Sequence, residues 1–238
     1  MRCRGINRDL LGRISGVLLF TTFLSFHIWY IRRGWHAFTL IGIINSLLIT
    51  CTIILFLAAY FLRTKAVSHS KGFMETVYPL FCSALPLVIF HNSEMLKLFI
   101  PYSRFSGLLN SIFGIHDHIL LRWDVLPTAL VIIGNSVTLI GIIYLKRSFS
   151  IMAEARKPVY RGIYKYLRHP LYFGEGMATA GILIFRLSKI NIALTALFII
   201  GQVVRAGIEE NKLMLAFPEY GEYKQKTGAF FPRLRGRE

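Results

Sequence analysis

Within residues 160–175, YRGIYKYLRHPLYFGE, the side chains of Arg161, Lys165, Arg168, His169 and Glu175 crowd among five aromatics. Pro170 disfavours helical backbone at the residue before it and suits the first turn of a helix itself. The spacing therefore predicts irregular chain through Arg168-His169 and a helix that begins at Pro170. A helix start presents free N–H groups and a positive dipole end. With Arg168 and His169 beside it, this is chemistry for a carboxylate or a phosphate. Glu175, one turn into the apolar stretch that follows, adds an acid. The competing reading of this window alone is an interfacial anchor of basic and aromatic residues.

A second cluster lies in residues 202–233, QVVRAGIEENKLMLAFPEYGEYKQKTGAFFPR. Arg205 and Glu209 are four apart and share a helix face, which Leu213 and Phe217 continue. Glu209 and Glu210 are adjacent and differ by about 100° around a helix. Glu210 shares its face with Met214 and has no cation at four-residue spacing, so it is expected to be the acid freer to hold a ligand, with Glu209 tied to Arg205. The two clusters flank a short two-helix hairpin and are expected to meet around one pocket. Such a pocket suits a ligand of both signs, and S-adenosylmethionine is one, with its carboxylate, ammonium and sulfonium. NADPH or a phospholipid would also use the basic residues.

The elements that must position these residues are apolar. The 238-residue chain is 54% hydrophobic and 14% aromatic, with mean hydropathy +0.52, too apolar for a soluble domain of this size. Six apolar blocks run from Ile14 to Tyr30, Phe38 to Leu62, Thr76 to His91, Val125 to Leu145, Pro170 to Phe185 and Ile190 to Val204. A bilayer takes about 20 residues of helix, so the shorter blocks must lean on neighbours or thin the bilayer. The fold expected is all-α and integral to a membrane, with about six transmembrane helices and a C-terminal half that binds a cofactor. Trp29, Tyr30, Arg32 and Arg33 follow the first block as an interface anchor, where a cleaved leader would carry small residues.

The net charge of +16 avoids the apolar blocks, which points to topology and anionic headgroups rather than nucleic acid. With the N-terminus inside, 21 of the 28 Lys and Arg residues fall in inside segments and 7 outside. The expectation is a multi-pass protein of a bacterial inner membrane or the endoplasmic reticulum, with both termini cytoplasmic. Cys3, Cys51 and Cys82 are scattered and suggest neither a disulfide framework nor a thiol centre. His116, Asp117 and His118 are adjacent, point apart on a helix and make a poor metal cage; no metal is expected. Asn45, Ser46, Thr50 and Thr52 read as helix-packing groups, and residues 1–124 are expected to form helices without chemistry. The segment SFSIMAEARKPVYRG after the fourth block reads as a polar connection.

Gly162-x-Tyr164-x-x-x-Arg168-His169-Pro170-x-Tyr172-x-Gly174 resembles the signature of the isoprenylcysteine carboxyl methyltransferase superfamily, which includes the phospholipid N-methyltransferases. Glu209-Glu210-x-x-Leu213-x-x-x-Phe217, followed by Tyr220, Tyr223 and Phe231-Pro232-Arg233, resembles its second motif. The resemblance covers about residues 125–238. It implies a membrane methyltransferase that holds S-adenosylmethionine on the cytoplasmic side and takes a lipophilic acceptor from the bilayer: a prenylcysteine carboxylate, a phospholipid amine or another small hydrophobic O, N or S nucleophile. It implies that Tyr164, Arg168, His169, Pro170, Tyr172, Glu209 and Glu210 line the cofactor site, with Arg168, His169 and Glu210 as catalytic residues. Phe217-Pro218, where many relatives have Phe-Gly, departs from the pattern and is expected to alter a local turn.

Two alternatives compete with this reading. Sterol reductases, which use NADPH, resemble the superfamily in their C-terminal half, but their longer chains and the closer methyltransferase match argue against them. A non-catalytic lipid-binding or transport protein would place ionisable groups near mid-membrane, whereas here they sit at span ends. The basic bias yields a direct expectation: reporter fusions after Arg33 and after Lys189 should both report the outer side, and a cytoplasmic signal from either overturns the topology.

Overall fold

In the computed structural model, which describes residues 8–34, 40–99, 125–185 and 187–233, each of the six apolar blocks forms a helix. They are α1 (Arg8–Gly34), α2 (Leu40–Leu62), α3 (Gly72–Phe99), α4 (Val125–Leu145), α5 (Pro170–Phe185) and α6 (Lys189–Ala216), followed by a short α7 (Tyr220–Lys226). Among the described residues there is no strand, only two isolated bridges, Ser68 with Ala155 and Leu167 with Gly228. Four helices, α1, α2, α4 and α6, are long and apolar enough to cross a membrane. With 16 residues, α5 covers only about 24 Å. The third helix runs past the expected end at His91 to Phe99. The His116-Asp117-His118 stretch lies outside the described residues.

Helix α3 contains Pro79 and Pro86. A proline has no N–H to give, so the carbonyl four residues earlier loses its helical donor. The Glu75 carbonyl, freed by Pro79, accepts from Ala153 N at 2.9 Å. That contact belongs to the segment read from sequence as a polar connection, and the structure corrects the reading. Phe149, Ile151, Met152, Ala153 and Ala155 are all buried. Ile151 N donates to the Tyr60 hydroxyl at 2.8 Å, and its carbonyl accepts from Arg205 at 2.8 Å. Phe149 packs its ring 4.7 Å from Phe56, which stacks on Phe20 at 4.6 Å. The segment is thus a plug that ties α2, α3 and α6 together. Buried non-helical backbone persists where its polar groups find partners within the protein, as those of Ile151, Ala153 and Ala155 do.

The plug's polar side chains are buried too. Glu154 accepts from Ser150 and from Arg156, each at 2.7 Å, and lies 3.6 Å from Arg63. Arg63 and Arg156, which sequence counting treats as surface topology charges, serve an internal ion cluster. Across α2 and α4 the expected packing role of Asn45 is seen directly: Asn135 Nδ2 donates to Asn45 Oδ1 at 2.9 Å.

The hairpin that carries the candidate motifs rests on α4. Gly134, Thr138 and Gly141 of α4 face Leu171, Gly174 and Ala178, and Gly181 faces Pro127 and Val131, small residues that keep the backbones close. A Cβ on Gly174 would meet the Gly134 carbonyl at 2.6 Å and Thr138 N at 2.8 Å. Gly174→Val is therefore expected to cost about 1–3 kcal/mol by overpacking. On Gly207 a Cβ meets nothing within 4 Å, so Gly207→Ala should be neutral or stabilising by up to about 1 kcal/mol. Thermal melting of both variants in detergent checks the contrast.

Candidate functional site

The predicted break is where the sequence sets it: the chain is irregular through Arg168 and His169, and α5 starts at Pro170. Its exposed backbone groups find partners in the segment after α7. Arg168 N donates to Gly228 O at 2.8 Å and His169 N to Ala229 O at 3.0 Å, while the His169 carbonyl accepts from Phe173 N as α5 begins. Gly162 precedes this stretch with φ +63, under the ring of Tyr144, so any side chain there would be both strained and blocked.

The two motifs meet, as their order along the chain implied. Arg168 Nε donates to Glu210 Oε1 at 2.7 Å, His169 Nε2 lies 2.9 Å from the same oxygen, and Lys224 Nζ is 3.0 Å from Oε2. Arg168 also donates to the carbonyls of Lys224 and Thr227. The expectation that Glu210 stands without a cation is thus reversed: its partners come from distant segments, not from its own helix. Glu209 does have the partner its spacing implied, Arg205 Nε at 3.4 Å. It also accepts from the Tyr172 hydroxyl. Arg205 stacks over Tyr172, 4.7 Å from the ring centroid, and donates to Ser83 Oγ at 3.0 Å. Glu175 sits at the edge of the same cluster, with Gln202 Nε2 donating to it at 2.6 Å and with Arg205, Tyr172 and Glu209 within electrostatic reach of its carboxyl.

A cavity of about 110 Å³ opens at this junction. Of the residues singled out in the sequence, Tyr164, Arg168, His169, Tyr172 and Glu209 line it; Pro170 and Glu210 do not. Pro170 is buried at the helix start, and Glu210 sits behind Arg168 and His169. His169 is stacked parallel to Tyr172 at 5.3 Å and packed against Phe230 at 5.7 Å, which fixes the imidazole plane. Tyr220 and Tyr223 complete one wall, and Tyr223 donates to the Tyr164 carbonyl at 2.5 Å. Burial pushes the Tyr164, Tyr220 and Tyr223 hydroxyls up from their ordinary values, with nearby carboxylates or phenols adding to it. They remain neutral donors and apolar walls, not bases.

Sequence reasoning missed the opposite wall. Phe149, Ser150, Met152, Glu154 and Arg156 of the plug all face the cavity. The apolar residues in SFSIMAEA were the available signal, too short a run for a membrane block. Lys224 was missed because nothing in its local spacing links it to Glu210. Pro218 lies in the turn into α7, where its carbonyl accepts from Gly221 N at 3.1 Å. Among the described residues no group of three or more His, Cys, Asp or Glu side chains is placed to hold a metal ion.

Residues 124–219 match the phospholipid methyltransferase family, within the isoprenylcysteine and phospholipid methyltransferase superfamily. The match begins at the foot of α4 and stops just before α7, so it takes in the break, the hairpin and both glutamates. No curated protein matches the chain.

The unequal surroundings of the two glutamates predict unequal costs. Glu210 has a side chain 7% exposed and holds two cations, Arg168 and Lys224, together with the His169 ring. Glu210→Gln leaves those groups without their counter-charge and is expected to cost about 3 kcal/mol of stability. Glu209 is more open, at 21%, and Glu209→Gln should cost well under half as much. Chemical or thermal unfolding in detergent compares them, and equal losses would contradict the assignment of Glu210 as the anchor.

Proposed function

We propose that this chain, which matches the phospholipid methyltransferase family over residues 124–219, transfers a methyl group from S-adenosylmethionine to a lipophilic acceptor at the cytoplasmic membrane face. The observation that carries the reading is the convergence of Arg168 and His169 at the start of α5 with Glu209 of α6 and four tyrosines around one cavity. In this reading residues 125–238 form the catalytic region. Residues 1–124 form its support, and both termini lie in the cytoplasm, as the basic bias requires.

The donor set suits the cofactor. Arg168 commits Nε and one terminal nitrogen to hydrogen bonds, and its second terminal nitrogen makes none among the described residues. Together with the helix start it suits a carboxylate. Glu209 faces the cavity and suits an ammonium or ribose hydroxyls. Bound there, the cofactor would supply an electrophilic methyl on a sulfonium, with a neutral thioether as its leaving group. The chain's own work is alignment and exclusion of water. Arg168 and His169 contact the ligand, while Glu210 acts as a positioning residue that holds both. Small-molecule sites usually measure about 300–1,000 Å³, so the cavity must widen to admit a whole cofactor. The Lys224–Glu210 contact on α7 is the clasp best placed to open.

Purified protein incubated with methyl-labelled S-adenosylmethionine and a total lipid extract should yield a labelled lipid. S-adenosylhomocysteine should bind, with Glu209→Gln weakening it by about 1.5–3 kcal/mol and His169→Ala removing most of the affinity. Its binding should change hydrogen exchange over residues 220–229. Absence of both binding and labelled product would return the cluster to a membrane-interface anchor.

A further inference from the structure

The plug wall of the first cavity carries an acid that the site described above leaves unused. Glu154 lines that cavity, with a side chain only 1% exposed. Its two oxygens are unequally served. Oε2 accepts from Ser150 Oγ and from Arg156, each at 2.7 Å, and lies 3.6 Å from Arg63. Oε1 is buried and accepts no hydrogen bond among the described residues. The His69 ring stands 3.7 Å from it and is partly turned to the outside, beyond hydrogen-bond reach. A buried acceptor without a donor is costly, and folded proteins keep few of them. In a cavity wall, such an atom suits a donor brought by the cavity's ligand.

Glu154 is held from outside the family match. Ala155, next to it, pairs with the connection between α2 and α3: its N–H donates to Ser68 O at 3.0 Å, and its carbonyl accepts from Val67 N at 2.8 Å. On the other side, Ala153 N is bound to the Glu75 carbonyl of α3. Arg63, just past the end of α2, adds the charge beside Oε2. Backbone pinned on both sides and one oxygen committed leave Oε1 preorganised for a ligand. A second cavity, about 800 Å³ and set between α2 and α4, shares Ser148, Lys157 and Val159 with the first, but Glu154 and Arg156 line only the first. Glu154 therefore serves the first cavity alone.

We infer that Glu154 is a second ligand-contacting acid of this site: Oε1 accepts a hydrogen bond from the nucleoside half of the cofactor, a ribose hydroxyl or the adenine amine, and Glu209 is left for the ammonium. The inference rests on the S-adenosylmethionine reading and divides that ligand between the two walls. The carboxylate and the ammonium of the cofactor sit on one carbon, so one pole of the cavity must hold both. Arg168 and Glu209 share a pole, because His169, next to Arg168, stacks on Tyr172, and the Tyr172 hydroxyl donates to Glu209. Glu154 faces them from the plug, where Phe149 and Met152 add apolar surface for sugar and base. Glu154 belongs to neither motif. Arg63, Val67 and Ser68, which hold it, give the N-terminal half a positioning role behind a ligand contact.

The test titrates the full chain in detergent with S-adenosylhomocysteine and three analogues: one without the ribose hydroxyls, one with inosine in place of adenosine, and one without the α-amino group. On wild-type protein one of the two nucleoside analogues should bind about tenfold or more weakly than S-adenosylhomocysteine, and which one identifies the donor. Glu154→Gln should weaken S-adenosylhomocysteine by about tenfold or more and erase that difference, while the loss shown by the deamino analogue persists. Glu209→Gln should do the reverse. The inference is overturned if Glu154→Gln binds S-adenosylhomocysteine as wild type does, or erases the deamino loss instead. It is overturned equally if all four ligands weaken by one factor, which is what a purely structural role in the plug produces. Should Glu154→Gln fail to fold, Glu154→Asp decides by the same comparison, since it keeps the anion beside Arg63 and Arg156 but withdraws it by one methylene. Wild-type protein that binds S-adenosylhomocysteine and both nucleoside analogues equally overturns the inference alone. Wild-type protein that binds no S-adenosylhomocysteine overturns it together with the cofactor reading.

Discussion

The carboxylate of Glu210 is the interaction on which the rest of the site depends. A buried charge is costly unless it is paired and its remaining acceptor capacity is filled. Here one oxygen takes Arg168 and His169, and the other takes Lys224. Those partners come from the chain before α5 and from α7, so satisfying a single anion draws two separate segments to the end of α6. Arg168 then extends the same network to the carbonyls of Lys224 and Thr227. The backbone left irregular by Pro170 is closed by Gly228 and Ala229. Electrostatics and backbone satisfaction impose the same arrangement.

The plug of residues 149–156 is the complementary wall, and it explains what the N-terminal helices contribute. Tyr60 receives Ile151 N, the Glu75 carbonyl receives Ala153 N, and Arg205 reaches both the Ile151 carbonyl and Ser83. A proline in α3 is what frees the Glu75 carbonyl for this use. The helices that sequence reading left without a role hold the plug in place, and through Arg205 they reach Glu209. A glutamate facing a cavity is kept in position by contacts that run back to α3.

The two cavities share a wall, and their surfaces differ. One is small, rich in tyrosine and set about with opposed charges. The other is larger, apolar below and uniformly basic above.

The sequence by itself determined the features that depend on local covalent geometry and short-range spacing. These are the six helical blocks, the helix start at Pro170 and the shared face of Arg205 and Glu209. Proline sterics and a period of 3.6 residues act within a turn or two, so they can be read from neighbours. It also carried both site motifs, and hence Tyr164, Arg168, His169, Tyr172 and Glu209 on one cavity. Only the tertiary structure decided which glutamate was already engaged, because the Arg168–Glu210 bond joins residues 42 apart. It alone showed that an ostensibly polar connection was a buried plug, because Ile151 meets Tyr60 across 91 residues. Burial and ion pairing depend on what distant segments bring to the same point in space, and no local pattern records that.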